Sequence, residues 1–255
     1  MDYIRFGHGE KTLVILPGLG DGLRTVKGTA LPMSVLYRVF GREYTVYSFS
    51  RRSDSRSGAT TRDMAADVKG AMEALGIESA DLMGVSMGGM ISQWLAIDYP
   101  QVVRKLVLVV TSHRPNAILQ ETVGEWMDFA RRGDHTSLME SNLRLIYTPE
   151  YYRKNRWTIP LIGCITKPKS YDRFLALAEA CLSHDAANHL HRIQSPALVI
   201  GGEKDLSLGG EPSRQIAGSI PGAKLRMYEE FGHGLYEEAK DFQNIVLEFL
   251  TQKNG

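Results

Sequence analysis

The sequence predicts an α/β fold: a mostly parallel central sheet with helices on both faces and an inserted helical cap. Three observations carry that reading. Short, almost wholly apolar runs alternate with segments of helical periodicity up to residue 113 and again from residue 186, as a parallel sheet buried on both faces requires. From 114 to 185 the alternation stops, and the chain turns helical, irregular and rich in Arg, Tyr and Trp. A sheet interrupted and then completed divides the chain into core residues 1–113, a cap over 114–185, and core residues 186–255.

Each element has its own signal. "TLVILPGLG" (12–20) is an apolar run ended by Pro and Gly, a buried strand entering a tight loop. "YTVYSFS" (44–50) is a second strand. Residues 60–77 begin with a threonine cap and carry Met64, Val68, Ala71, Met72 and Leu75 at helical spacing before Gly76. "ADLMGV" (80–85) is a strand and 87–100 a helix ended by Pro100. "KLVLVVTS" (105–112) is a central strand, apolar and β-branched. After the cap come a strand over 195–205, a helix over 211–220, a strand over 223–230 and a final amphipathic helix over 236–250.

Composition narrows the function classes. With 43% hydrophobic and 23% charged residues, the 255-residue chain has the balance of a soluble globular protein. Thirty basic residues against twenty-nine acidic leave a net charge of +1, no footprint for nucleic acid or an anionic membrane. Cys164 and Cys181 lack metal-site spacing and read as free thiols in a reducing compartment. The N-terminus has no apolar core of a signal peptide, and no run approaches the roughly 20 residues that span a bilayer. A cytoplasmic protein is expected.

The chemistry centres on Gly84-Val85-Ser86-Met87-Gly88. As a pattern, G-x-S-x-G is short; its context gives it force, because an apolar strand ends and a helix begins there. A sharp turn at that junction pushes the serine hydroxyl out of the sheet edge, and glycines on either side remove side chains that would collide. A serine hydroxyl needs a base within hydrogen-bond reach, and on such a scaffold an acid and then a histidine follow in the chain.

Of seven histidines, His233 has the right place: "EEFGHGLYEE", between a late strand and the final helix, flanked by glycines. His8 sits in the first hairpin turn, His113 and His135 near the start of the inserted segment. His184, His189 and His191 precede a strand without a metal-ligand register. Asp205, in "GGEKD", is the acid that orients the imidazole, with Glu203 as its competitor. Two backbone N–H groups form the oxyanion hole, one from Met87 and one from Leu19 in the turn "LPGLG". Trp126, Tyr147 and Trp157 of the cap are candidates for an apolar substrate pocket, and Arg24 and Lys27 for a substrate carboxylate.

With "LPGLG", "GVSMGG", "GGEKD" and "FGHG" in this order, the chain resembles the α/β-hydrolase superfamily over essentially its full length. "GVSMGGMISQWLAIDYPQVVRKLVLVVTS" resembles in particular the enol-lactonases and related cofactor-free esterases of that superfamily. The resemblance implies Ser86 as nucleophile, His233 as general base and acid, and Asp205 as its partner. It departs at Pro17-Gly18, where the family often has His-Gly, and in "DGLRTVKGTALP". Serine at the elbow argues against haloalkane dehalogenase or epoxide hydrolase chemistry, which use a carboxylate nucleophile.

The expected activity is hydrolysis of a small-molecule carboxylic ester or lactone through an acyl-enzyme, with no metal or organic cofactor required. Carbon–carbon bond hydrolysis, thioester and peptide cleavage use the same constellation and stay open. So does a non-catalytic receptor on this fold.

Overall fold

The computed structural model describes residues 1–55 and 57–252, without the side chains of Ile162, Cys164 and Ile165. Seven strands form one sheet: β1 (Tyr3–Phe6), β2 (Lys11–Leu16), β3 (Tyr44–Phe49), β4 (Ala80–Val85), β5 (Val103–Val109), β6 (Ala197–Gly202) and β7 (Lys224–Tyr228). Their spatial order is β1-β3-β2-β4-β5-β6-β7. All neighbours run parallel except β1 against β3. Because β1 pairs with β3 rather than β2, His8 lies in a connection across β3 and not in a hairpin turn, a correction to the sequence reading.

The apolar strand runs follow from burial on both faces. Val14, Leu16, Leu82, Leu106, Leu108 and Val199 point into one core. Their neighbours Leu13, Ile15, Met83, Val107, Leu198 and Ile200 point into the other, as a period of two dictates. The helices α1 (Ala30–Leu36), α2 (Thr61–Ala74), α3 (Met87–Asp98) and α9 (Glu211–Ser219) lie between strands. The N-terminus of α2 is held by a capping box: Thr60 Oγ1 accepts from the Asp63 N–H, and the Asp63 carboxylate from the Thr60 N–H. The α3 helix is buried from Met87 to Ile97, so its near-continuous apolar sequence needs no polar stripe.

Between β5 and β6 the chain forms α4 (Ala117–Arg131), α5 (His135–Ile146), α6 (Pro149–Asn155), α7 (Ile159–Thr166) and α8 (Asp172–Leu182). Trp126, Leu138, Phe174 and Leu177 from this segment join the same core as β4 and α3. The inserted helices therefore share the sheet's core. The last helix departs from its sequence expectation, splitting into α10 (Leu235–Glu238) and α11 (Phe242–Thr251). The physical reason is that α10 inserts Leu235 into the core while turning Tyr236 and Glu237 to a cavity. Beyond a bend at extended Ala239, α11 packs Phe242, Val246 and Leu250 against the sheet. No straight helix serves both directions.

Candidate active site

Ser86 sits at the junction of β4 and α3 with φ 54° and ψ −120°, a region that a non-glycine residue occupies only under strain. The surroundings hold it there. Its N–H donates to the Val109 carbonyl (2.9 Å), and its own carbonyl accepts from Gly89 N–H (2.8 Å) and Thr111 Oγ1 (2.7 Å). The neighbouring glycines are demanded by close approach. A Cβ on Gly88 would lie 1.9 Å from the Leu16 carbonyl oxygen, and one on Gly84 would lie 2.3 Å from Ser92 Oγ. Gly89, which the sequence reading did not single out, is equally constrained: its Cβ would meet Thr111 at 2.6 Å.

The loop after β7 brings His233 to the same edge. Gly232 and Gly234 let this loop pass close to Lys204 and Tyr147, and Gly234 N–H donates to the Ile146 carbonyl (2.7 Å). His233 Nδ1 lies 2.7 Å from Asp205 Oδ2, and both residues are buried. The second oxygen of Asp205 accepts from the N–H groups of Ser207 (2.8 Å) and Leu208 (3.1 Å). In the neutral imidazole this contact places the proton on Nδ1 and the lone pair on Nε2. Glu203, the competing acid, is exposed and pairs with Arg214 instead.

Ser86 and His233 line one cavity of about 310 Å³. Among the described residues no hydrogen bond joins Ser86 Oγ to His233, although both line this cavity. Leu19 opens a short 3₁₀ turn and Met87 opens α3. As first residues, neither has a carbonyl one turn back to receive its N–H. A Cβ on Gly18 would lie 3.3 Å from Ser86 Cβ, so the Leu19 turn passes directly beside the serine.

The aromatic candidates separate. Trp126 is buried, lines the cavity and donates from Nε1 to Ser141 Oγ (3.2 Å). Tyr147 also lines the cavity, stacks on Tyr151 with centroids 4.3 Å apart and donates to Glu237 Oε2 (2.6 Å). Burial, the largest cause, raises its phenol above the usual range, so the hydroxyl keeps its proton. Trp157 is a correction: it is 75% exposed, in a turn between α6 and α7, and does not line the Ser86 cavity. An aromatic in an irregular segment has no helical phase from which its direction can be read.

Arg24 is exposed and lines an adjoining lobe of about 160 Å³ that shares Leu19, Gly20, Trp126 and Asn142 with the main cavity. Lys27 is exposed and lines neither space. Burial pushes the free Cys181 thiol up to about 12, leaving it protonated at neutral pH; the side chain of Cys164 lies outside the described residues. Tyr236 and Glu237 line the cavity and were missed in the sequence, although they follow His233 by three and four positions. Met33, Leu36 and Tyr37 were missed because no pattern marks α1. Among the described residues, no cluster of three His, Cys, Asp or Glu side chains is arranged to hold a metal ion. No helix among them is long and apolar enough to cross a membrane.

A family model described as the alpha/beta hydrolase fold matches residues 11–240. A 2-hydroxy-6-oxononadienedioate/2-hydroxy-6-oxononatrienedioate hydrolase from Pseudomonas sp is 26% identical over 266 residues, covering 96% of this chain and 90% of its own. A pyrrolizixenacetamide deacetylase from Xenorhabdus hominickii is 27% identical over 269 residues, covering 100% and 99%. Among solved structures, the enol-lactonase from Burkholderia xenovorans LB400 superposes with a TM-score of 0.84 at 23% identity. It covers 98% of this chain and 96% of that one, a likeness of fold.

Proposed function

Because the chain belongs to the α/β-hydrolase family, we propose that it cleaves a small carboxylic ester or lactone through an acyl-enzyme on Ser86. The observation that carries this reading is the 2.7 Å pair of His233 and Asp205, with His233 on the cavity that Ser86 also lines. With Nδ1–H held by Asp205, Nε2 takes the Ser86 proton as Oγ attacks the carbonyl. The N–H groups of Leu19 and Met87 receive the developing oxyanion. His233 then passes its proton to the leaving oxygen, and in the second half it activates water to release the acid.

The charge of the cavity bears on the choice among hydrolases. Its acidic lining residues are Glu237 and Asp21, the latter already paired with Arg173, and among the described residues neither Lys nor Arg lines it. A dicarboxylate of the kind named for the Pseudomonas relative meets no cation there, and Arg24 stands only in the adjoining lobe. A neutral ester fits that lining better. A fluorophosphonate probe tests the reading: Ser86 becomes labelled, Ser86→Ala does not, and short activated esters are hydrolysed by the unmodified protein alone. The absence of both labelling and hydrolysis would overturn it. Labelling with tight ligand retention and negligible turnover would point to a receptor.

A further inference from the structure

Two spaces of very different size meet at Ser86. The main cavity, about 310 Å³, reaches solvent past Gly20, Leu36 and Glu237, all exposed. A second niche of about 20 Å³ opens off it, sharing Leu19, Ser86, Trp126 and His233 with the main cavity; beyond them Met90, Leu119, Val123 and Leu208 are among its apolar walls, and Thr122 and Ser207 also line it. Every residue lining this niche is buried except Ser86 itself. The niche is blind. Its volume suits one water-sized or methyl-sized group, and its walls come from the core of α3, α4 and α8.

The order of bond making and breaking assigns the two spaces. In the first half-reaction the bond from Ser86 Oγ to the carbonyl carbon forms and the bond to the alcohol oxygen breaks. The serine proton travels through His233 to that oxygen. The alcohol must then leave and a water must arrive, while the acyl group stays on Ser86. In the second half the water oxygen bonds to the carbonyl carbon, the Ser86 ester bond breaks, and the proton returns to Oγ through His233. The alcohol therefore leaves first, through the space that opens to solvent, while the acyl group stays beside Ser86 until water releases it as the acid by the same opening.

Resting on the acyl-enzyme reading above, we propose that the substrate is an acetyl ester: its methyl-sized acyl group fills the blind niche and its large, mainly apolar alcohol fills the open cavity. A lactone carries its acyl chain and its alcohol in one ring and cannot divide them between the two spaces. The proposal thus narrows the substrate to an open-chain ester. Leu119, on α4, and Val123, one turn later, set the depth of the niche.

The test is the chain-length dependence of kcat/KM for p-nitrophenyl acetate, propionate, butyrate and hexanoate, with γ-butyrolactone alongside. Going from acetate to butyrate is expected to lower kcat/KM by about 10-fold or more, the usual penalty for overfilling a packed apolar site. Val123→Ala is expected to raise butyrate relative to acetate by about 10-fold, since it removes two methyl groups from the wall. Butyrate or hexanoate turned over as fast as acetate, or the lactone preferred to acetate, would overturn the proposal. An unchanged acyl preference in a folded Val123→Ala protein would do the same. If Ser86 is labelled by a fluorophosphonate but the profile is flat, only the acetyl assignment falls. If there is neither labelling nor turnover, the hydrolase reading falls first and takes the assignment with it.

Discussion

Arg173, on α8, donates to both the carboxylate and the backbone carbonyl of Asp21, tying a helix of the inserted segment to the turn that carries Leu19. The Asp21 carboxylate also accepts the Arg51 N–H (2.9 Å), and the Arg51 guanidinium donates to the Pro17 carbonyl. The Asp21 side chain is 1% exposed. Burial lowers the Arg51 guanidinium pKa, with Asp21 opposing that shift. One carboxylate therefore compensates a buried cation, Arg51, and a half-buried one, Arg173, beside the candidate oxyanion donor.

Asp21→Ala removes that compensation. A buried ion pair broken from one side typically costs about 3–5 kcal/mol, because the remaining charge is left without a partner. The urea midpoint is expected to fall accordingly, and kcat for an activated ester to fall further than KM rises as the Leu19 turn loosens. An unchanged midpoint would mean that solvent already compensates both guanidiniums.

Asp205→Asn tests the orientation of His233. The amide presents a donor or a weaker acceptor to Nδ1, which favours the wrong imidazole tautomer, and a loss in kcat of about 10⁴ is expected for such a change. Glu203→Gln is the control: its exposed pair with Arg214 should contribute less than about 1 kcal/mol to stability and nothing to turnover. Steady-state rates for the two variants, side by side, decide which acid serves the histidine.

Gly88→Ala places a Cβ 1.9 Å from the Leu16 carbonyl oxygen and 2.8 Å from that of Pro17. Both obstacles are backbone, so relief requires moving α3 away from the end of β2. Overpacking costs typically about 1–3 kcal/mol, and a backbone clash belongs at or above the top of that range. A lowered thermal midpoint with lost activity is expected; a variant with wild-type rates would show that the elbow tolerates displacement.

The elements that were legible in the sequence are those whose surroundings impose one periodicity. Strands β2, β4, β5 and β6 are largely buried on both faces and read as mainly apolar runs, with charged residues only near the start of β2, β4 and β5. Ser86, Asp205 and His233 were legible because each sits in a glycine-marked turn at a strand's end. What escaped notice depends on tertiary partners. Arg51 and Arg173 look like solvated charges in sequence, and only the structure shows that Asp21 and nearby backbone carbonyls receive them. The α1 helix contains no fully buried residue, so no apolar stripe announces it. The bend at Ala239 separates two helical turns that share one amphipathic pattern, and only the cavity explains why they diverge.

Trp126 and Trp157 make a matched contrast between two tryptophans of the inserted segment. Trp126 is 6% exposed and borders the main cavity, the Arg24 lobe and the blind niche. Its replacement by alanine should cost about 3–5 kcal/mol and alter substrate selectivity. Trp157 is 75% exposed, and its replacement should stay within about 0.5 kcal/mol with unchanged kcat/KM. A large activity loss in Trp157→Ala would place that residue on the substrate's route to Ser86.

The acid limit of stability should be set in part by His184. It is 1% exposed, with Nδ1 at 2.8 Å from Thr61 Oγ1 and Nε2 at 3.4 Å from Gln93 Oε1. Burial lowers its pKa from 6.5 to about 3, partly offset by the charge of Asp185. Between those two values the unfolded chain binds a proton that the folded protein refuses. The contribution of His184 is therefore complete above about pH 6.5 and is lost as the pH falls toward 3. Linkage puts the loss between pH 7.5 and pH 5 at about 2 kcal/mol. His113, whose pKa burial also lowers, steepens the same limb. Urea unfolding of the wild type and of His184→Gln at the two pH values checks this. The variant should show a shallower dependence by about that amount, because glutamine has no proton to bind. Equal slopes would mean that His184 is protonated in the folded protein and that Thr61 and Gln93 rearrange around the cation.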